Sequence, residues 1–389
     1  MSQYKNVVIV GASAGGIGAA RRLENSLPQT HRIVLIDACE VAFYPTSALR
    51  AAVVPGFEKQ TIAPLASVFP PNSRHIVLGG TRVIGLGQNH VKLDRTLDGQ
   101  QSSGDGDEIH FDKAILAIGY QYSFPSRAAG RTEEEILEGF SKVQEDVKRA
   151  ESILVVGGGP VGVEFAGEVK SAHPGKKVTI VSSSERLIGH LPGLHERLKR
   201  QLENLGVELV LGDKISDDDA RGLEFGRVFQ GGQRPFKTLK GFELSSDLVI
   251  DGRGGRPNTS LVSTSYPDAV DERGQIKASR NLVAKCAQLS NYLVVGDAND
   301  LPVPKTAFVA QMQGKLAADN VRALVLGGGQ DVSKLKEFGN PPSVMMVTLG
   351  PKGGASKVYS LTFGEWFTSL IKGKGLFVSQ FKANYVAAK

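Results

Sequence analysis

Short apolar runs that end at glycine punctuate this chain from its first residues. Residues 5–10 (KNVVIV) form such a run up to Gly11, and residues 32–36 form another. Between them the apolar positions of 17–27 are spaced as on one helical face, and Pro28 stops them. A compact apolar run predicts a buried strand and the spaced pattern predicts a helix. Together they make the β-α-β unit of a parallel sheet. The same order returns as strand 152–156, glycine turn, helix 161–171 and strand 177–181.

Further apolar strands are predicted at 113–118, 247–251 and 292–295, with short ones near 75–78 and 83–84. A charged amphipathic helix is predicted over 133–150, and a helix over 315–326 that Gly327, Gly328 and Gly329 close. Residues 39–67 are less regular, and the acidic, glycine-rich stretch 98–107 reads as a surface hairpin or loop. Beyond 330, alternation at 343–349 and 357–362 predicts strands, followed by a helix over 364–371. The repeated units place the chain in the α/β class.

The glycine turns carry candidate chemistry. In the first, Gly11, Ser13 and Gly16 take the three positions of G-x-G-x-x-G, with Ala14 and Gly15 between them. A pyrophosphate needs bare backbone N–H groups at a helix N-terminus, and serine is small enough to allow that approach. Asp37 ends the second strand, where a carboxylate accepts hydrogen bonds from a ribose. The second turn has glycine at all three positions, Gly157, Gly159 and Gly162, with Pro160 opening the helix. Its strand ends in Ser182 with Arg186 nearby, not in a carboxylate, which leaves both NADH and NADPH open.

Taken in order, several motifs resemble the pyridine-nucleotide:FAD oxidoreductases over residues 5 to about 330. They are the first turn with Asp37, the strand end Ala117-Ile118-Gly119 with Pro125 beyond it, Gly157 to Glu164, Gly255-Arg256-Pro257-Asn258-Thr259, and Gly296-Asp297. Within that superfamily, Ala48-Leu49-Arg50-Ala51, Pro304-Lys305-Thr306-Ala307-Phe308 and Leu376-Phe377-Val378-Ser379 are similar to the apoptosis-inducing-factor-like group, on its ferroptosis-suppressor or AMID side. The resemblance implies two Rossmann-like, glutathione-reductase-type domains. An NAD(P)H-binding domain (125–246) is inserted in a discontinuous FAD-binding domain (1–124 and 247–330), and a small α+β domain (331–389) follows.

It implies FAD held by Gly11, Ser13, Ala14, Gly15, Gly16, Asp37, Arg50, Ala117, Gly119, Asp297 and Lys305. It implies NADH or NADPH held by Gly157, Gly159, Pro160, Gly162, Glu164, Ser182 and Arg186. Asp297 would bind the flavin ribityl chain, and Glu164 and Lys305 would lie near the reacting rings as catalytic residues. Reduced flavin develops negative charge at its N1/C2 carbonyl edge, so a lysine there stabilises it, and a glutamate could hold that lysine or the nicotinamide carboxamide. The implied reaction passes hydride from NAD(P)H to flavin N5 and then electrons to a quinone-type acceptor, in a pocket lined by the C-terminal unit and Phe308. Monodehydroascorbate, an iron-sulfur protein or oxygen stand as competing acceptors. A different class is an NAD(P)H sensor with little turnover that acts through partners or a membrane.

Composition and charge narrow this further. Hydrophobic residues at 41%, charged residues at 22% and 46 glycines fit a large globular protein of more than one core. Cys39 and Cys286 stand alone and far apart, so no redox dithiol is available and a reducing, cytoplasmic setting is expected. Cys39 reads as a packing residue. No histidine or cysteine spacing suggests a metal site. The first strand follows so closely on the N-terminus that no leader is expected, and Ser2 argues against N-myristoylation.

Residues 331–389 hold eight lysines against Asp331, Glu337 and Glu365, which is +5 of the chain's net +6. Residues 366–381 interleave Trp366, Phe367, Leu370, Ile371, Leu376, Phe377 and Phe381 with Lys372, Lys374 and the adjoining Lys382, as suits an anionic membrane or lipid-droplet surface. The bland alternative is a small domain packed on the FAD domain with its lysines in water. With no arginine after Arg322, nucleic acid is not an expected partner. The oligomeric state, monomer or homodimer, stays open.

Overall fold

The computed structural model describes residues 4–97, 106–189, 191–216, 219, 226–229, 232–328 and 331–387. Five parallel strands form the first sheet, in the order Tyr292–Val294, Lys113–Leu116, Lys5–Val10, His31–Ile36 and Ile76–Leu78. Every residue of His31–Ile36 is buried, as is every residue of Lys5–Val10 after the first. Such strands require cover on both faces. On one face lie the helices Ala14–Glu24 and Ala307–Leu326, in one apolar cluster with Ile9, Ile33 and Leu35. The two helices touch: a Cβ on Gly314 would meet Gly15 O at 2.0 Å. An antiparallel sheet of Val83–Leu86, His90–Leu93 and Glu108–His110 covers the other face.

The second sheet has four parallel strands, in the order Val207–Leu211, Lys177–Ser182, Ser152–Val156 and Leu248–Asp251. All of them fall in sequence between Lys113–Leu116 and Tyr292–Val294, two neighbours in the first sheet. The chain leaves and returns along one antiparallel ribbon, Tyr120–Gln121 against Arg256–Pro257. The helix Glu133–Arg149 opens with a capping box between Thr132 and Glu135, which satisfies two orphan N–H groups.

Several expectations shift. The helix expected at 315–326 begins at Ala307, because Thr306 Oγ1 caps Val309 N at 3.2 Å. The strand expected at 357–362 is two strands, Gly353–Val358 and Leu361–Phe363, turned at Tyr359 with φ 55°. The helix expected at 364–371 stops early. Glu365–Thr368 runs into a π-helical turn, Ser369–Gly373, before a final helix Val378–Ala383. Most of the loop read at 98–107 lies outside the described residues, as does Gly329.

The C-terminal unit does not rest on the first domain alone. Its antiparallel sheet, Val344–Leu349, Gly353–Val358 and Leu361–Phe363, packs on the helix Pro160–Ala172 of the second motif. A Cβ on Gly167 would sit 2.5 Å from Leu349 Cα. Its last helix reaches the first domain instead, where Phe381 and Tyr385 join the core around Ile9 and Ile17.

Candidate functional site

Each glycine turn is shaped by clashes that only glycine avoids. In the first, Gly11 has φ 96°, and a Cβ there would meet Ala117 O at 2.5 Å; at Gly16 it would meet Gly11 O at 1.7 Å. Ser13 stands at the N-cap of Ala14–Glu24 in extended conformation and makes no side-chain cap. The first-turn N–H groups of this helix thus point out without a side-chain acceptor, as an anion requires. Asp37 braces the turn, accepting from Ala12 N at 2.7 Å and Cys39 N at 2.8 Å. Burial raises the Asp37 carboxyl, and these N–H groups oppose the rise. Ala117 and Gly119 follow the neighbouring strand: Ala117 N donates to Val10 O, and Gly119 O accepts from Asn258 N on the return crossing.

The second turn repeats the design with one difference. Gly157 has φ 123° and no room, since a Cβ would meet Gly252 at 2.6 Å, and at Gly162 it would meet Gly157 O at 2.0 Å. Gly159, the N-cap, has φ −78° and nothing nearer to a Cβ than Gly252 O at 3.9 Å. Open space in front of a helix that begins with Pro160 is a cradle a phosphate can enter. Ser182 is buried and accepts from Ser184 N at 3.3 Å, while Glu185 and Arg186 lie exposed beyond it.

A third cluster stands at the end of the first sheet's edge strand. Asp297 lies on a short helical turn at the end of Tyr292–Val294, and Gly296 N is tied to Gln313 Oε1 at 2.7 Å. Burial pushes the Asp297 carboxyl up, against the pull of Arg127 and Lys305. Lys305 donates to Asn299 O at 2.6 Å and Leu301 O at 3.3 Å, and burial lowers its ammonium below the ordinary lysine range. The Arg127 guanidinium lies over the Tyr122 ring at 5.3 Å, and its Nε is buried without a hydrogen-bond partner. A desolvated carboxylate beside a cation with an unmet donor suits a ligand rich in hydroxyls and phosphate oxygens. These residues and the open cradle at Gly159 therefore fit two dinucleotides.

Glu164 and Arg50 are engaged with other protein groups. Glu164 is buried, accepting from Lys372 Nζ at 2.6 Å, Thr348 N at 3.0 Å and Thr348 Oγ1 at 3.1 Å. The expectation that it could hold Lys305 is corrected: the lysine it holds is Lys372, from the C-terminal π-helical turn, because that turn packs on this helix. One helical turn later, Glu168 accepts from Arg50 Nε at 3.0 Å and Nη2 at 2.7 Å. Arg50 also donates to Lys374 O at 3.3 Å. Arg127 is not singled out in the sequence, and Lys372 stands there only as one lysine of the basic tail. Lys372 sits in a lysine-rich tail that reads as solvated, yet it is only 9% exposed.

Comparison with known proteins agrees with this geometry. Residues 5–314 match the family model described as pyridine nucleotide-disulphide oxidoreductase. The chain is 28% identical to ferroptosis suppressor protein 1 of Taeniopygia guttata over 379 residues, covering 96% of this chain and 94% of that protein. It is 27% identical to apoptosis-inducing factor homolog A of Dictyostelium discoideum, covering 98% and 92%. It is 30% identical to Fe-regulated protein 8 of Mycosarcoma maydis, covering 90% and 87%. Among solved structures, the fold is similar to reduced Bacillus anthracis CoADR-RHD (TM-score 0.66, 18% identity, 92% of this chain and 62% of that one). It is equally similar to a NAD-dependent persulfide reductase from A. fulgidus (TM-score 0.66, 18% identity, 91% and 64%). This chain thus spans less than two thirds of those two longer chains. The family match over residues 5–314, together with two glycine cradles on two parallel sheets, places the chain in the pyridine nucleotide-disulphide oxidoreductase family, as an oxidoreductase that uses FAD and NAD(P)H.

Proposed function

We propose that this oxidoreductase is an NAD(P)H:quinone reductase, with FAD on the first glycine turn and NAD(P)H on the second. The observation that carries the reading is the absence of a dithiol. Cys39 and Cys286 are both free, and burial pushes the Cys39 thiol up to about 12, so it does not serve as a thiolate. Electrons must therefore leave the flavin directly, without a thiol relay on the protein, a route that a quinone acceptor suits. When bound, the flavin supplies the hydride acceptor and the electron donor of the two half-reactions.

The chain's own residues bind and orient. Asp297 would accept from ribityl hydroxyls and Lys305 would set a positive charge beside the cofactor, while the Glu164–Lys372 pair fixes the C-terminal unit against the nucleotide helix. Phe308 is 53% exposed on the first turn of the helix just after Lys305 and offers an aromatic face to a planar acceptor. The test is NADH and NADPH oxidation by the purified protein with a panel of quinones, monodehydroascorbate, an iron-sulfur protein and oxygen. The reading fails if nicotinamide reduces the flavin but no quinone reoxidises it faster than oxygen does. Asp297→Ala is expected to give a folded but flavin-poor protein, read as visible absorbance per protein; full flavin content would remove Asp297 from the site.

As a separate reading, we propose a cytoplasmic enzyme that sits peripherally on an anionic membrane or lipid-droplet surface. Trp366 is 77% exposed, with Leu361, Leu370 and Ile371 also exposed on the C-terminal unit. Lys352, Lys374 and Lys382 are exposed on that unit too. Partial insertion of such side chains beside lysines favours a negative bilayer. Trp366→Ala with Leu370→Ala is expected to lower partitioning onto phosphatidylserine-containing vesicles by about tenfold or more. Unchanged sedimentation with vesicles counts against this attachment.

A further inference from the structure

The end of the chain reaches back across the molecule to the first glycine turn. Tyr385 is 2% exposed, and its hydroxyl donates to Ala12 O at 2.7 Å. The other side of the same residue is held as well, by the bond from Ala12 N to Asp37 Oδ2 at 2.7 Å. Ala12 lies between Gly11 and Ser13, so these two bonds set the orientation of the turn that opens the helix Ala14–Glu24. Burial pushes the Tyr385 phenol far up, so it remains a donor at any working pH.

That helix in turn grips the tail. The Arg21 guanidinium donates to Asn384 O at 2.8 Å, Val386 O at 2.8 Å and Val68 O at 2.5 Å, and it pairs with Glu24 at 2.9 Å. Just before this, Phe381 stacks on Tyr44 with centroids 4.6 Å apart and planes 10° apart. Tyr44 precedes the helix Pro45–Ala51. The tail is thus fastened on three sides to the elements that surround the first cradle.

We propose that residues 378–386 form a latch that holds the first glycine turn in the shape that receives the FAD pyrophosphate, so that tail docking and FAD binding reinforce each other. A turn that starts at Gly11 and leads into a helix opening with Gly15, Gly16 and Gly18 loses much conformational freedom when it orders around an anion. A docked phenol bears that ordering before the cofactor arrives. The coupling is reciprocal: whatever the tail adds to FAD binding, FAD returns to tail docking. The proposal rests on the assignment of FAD to the first motif.

Tyr385→Phe removes only the hydroxyl and keeps the ring on Phe381, while Arg21→Gln loosens the tail from the other side. The first measurement is FAD release from purified holoprotein, followed as flavin fluorescence on dilution. The second is backbone amide exchange of residues 384–387 in the full chain with and without bound FAD. Release from Tyr385→Phe is expected to be about five- to tenfold faster than from the parent, consistent with one lost hydrogen bond, and release from Arg21→Gln at least as fast, since more than one tail contact is lost. Exchange in the tail is expected to slow when FAD is present. Equal release rates, with tail exchange indifferent to FAD, overturn the latch and leave the flavin assignment standing. A parent chain that folds yet takes up no FAD overturns that assignment itself.

Discussion

Gly159→Leu is expected to weaken oxidation of NADH and NADPH sharply, through a raised KM, while leaving a folded, yellow protein. The expectation follows from the difference between Gly159 and the glycines on either side of it. Gly157 and Gly162 are fixed by backbone at 2.6 Å and 2.0 Å from a would-be Cβ, so replacing them distorts the turn itself. Gly159 has φ −78°, which leucine adopts freely, and its nearest neighbour to a Cβ lies 3.9 Å away. A leucine there fills the approach to the N-terminus of Pro160–Ala172, where a pyrophosphate must come close to bare N–H groups. The steric penalty of about 1–3 kcal/mol or more lowers nucleotide affinity by roughly tenfold to more than a hundredfold. Flavin content and the unfolding midpoint should match the parent. An unaltered NADH titration of flavin bleaching would refute the assignment of the second cradle.

The second large effect concerns the pair between Arg50 and Glu168, whose side chains are 4% and 3% exposed. Burial raises the Glu168 carboxyl, and Arg50 is the chief group holding it charged. Glu168→Ala or Arg50→Ala leaves an uncompensated charge in the core, at a cost of about 3–5 kcal/mol. That is a large share of a typical stability of about 5–15 kcal/mol. A clear fall in the urea midpoint is expected from either single change. The double change to leucine and methionine is expected to recover much of it, because no lone charge remains. Flavin content separates the two roles considered for Arg50. A purely clamping arginine loses no more flavin on substitution than Glu168→Ala does, whereas a direct FAD contact loses more. Additive single effects would show that the pair is not coupled.

The parallel framework was readable because its signals are local. An apolar run, a glycine and a spaced helix recur twice, and the strands they predict pair as neighbours in two parallel sheets. The glycine positions were readable for the same reason, since the clash that excludes a side chain at Gly16 comes from Gly11, within the same turn. The helix Pro192–Asn204 escaped notice because only Leu194, His195, Leu198 and Leu202 are buried, a narrow stripe among charges. The C-terminal hairpin was hidden by a turn at Tyr359, a residue rarely found at positive φ.

Other site residues depend on partners far along the chain. Glu164 meets Lys372 across 208 residues and Tyr385 meets Ala12 across 373. No local pattern marks such a pair: Lys372 reads as one more lysine in a basic tail until the fold brings it under the second motif's helix. Arg127 belongs to the same class. Its orphaned Nε becomes informative only once Asp297 is seen to face it.

The antiparallel ribbon of Tyr120–Gln121 and Arg256–Pro257 is the doorway of the inserted module. Its entry and exit, at Gln121 and Arg256, are paired neighbours, so deleting everything between them leaves a gap of one strand spacing, about 5 Å. A two-residue turn bridges that distance. Exchanging this one continuous segment between relatives to swap nicotinamide specificity is therefore expected to succeed only where the replacement keeps carboxylates at 164 and 168, whose partners Lys372 and Arg50 lie outside the segment.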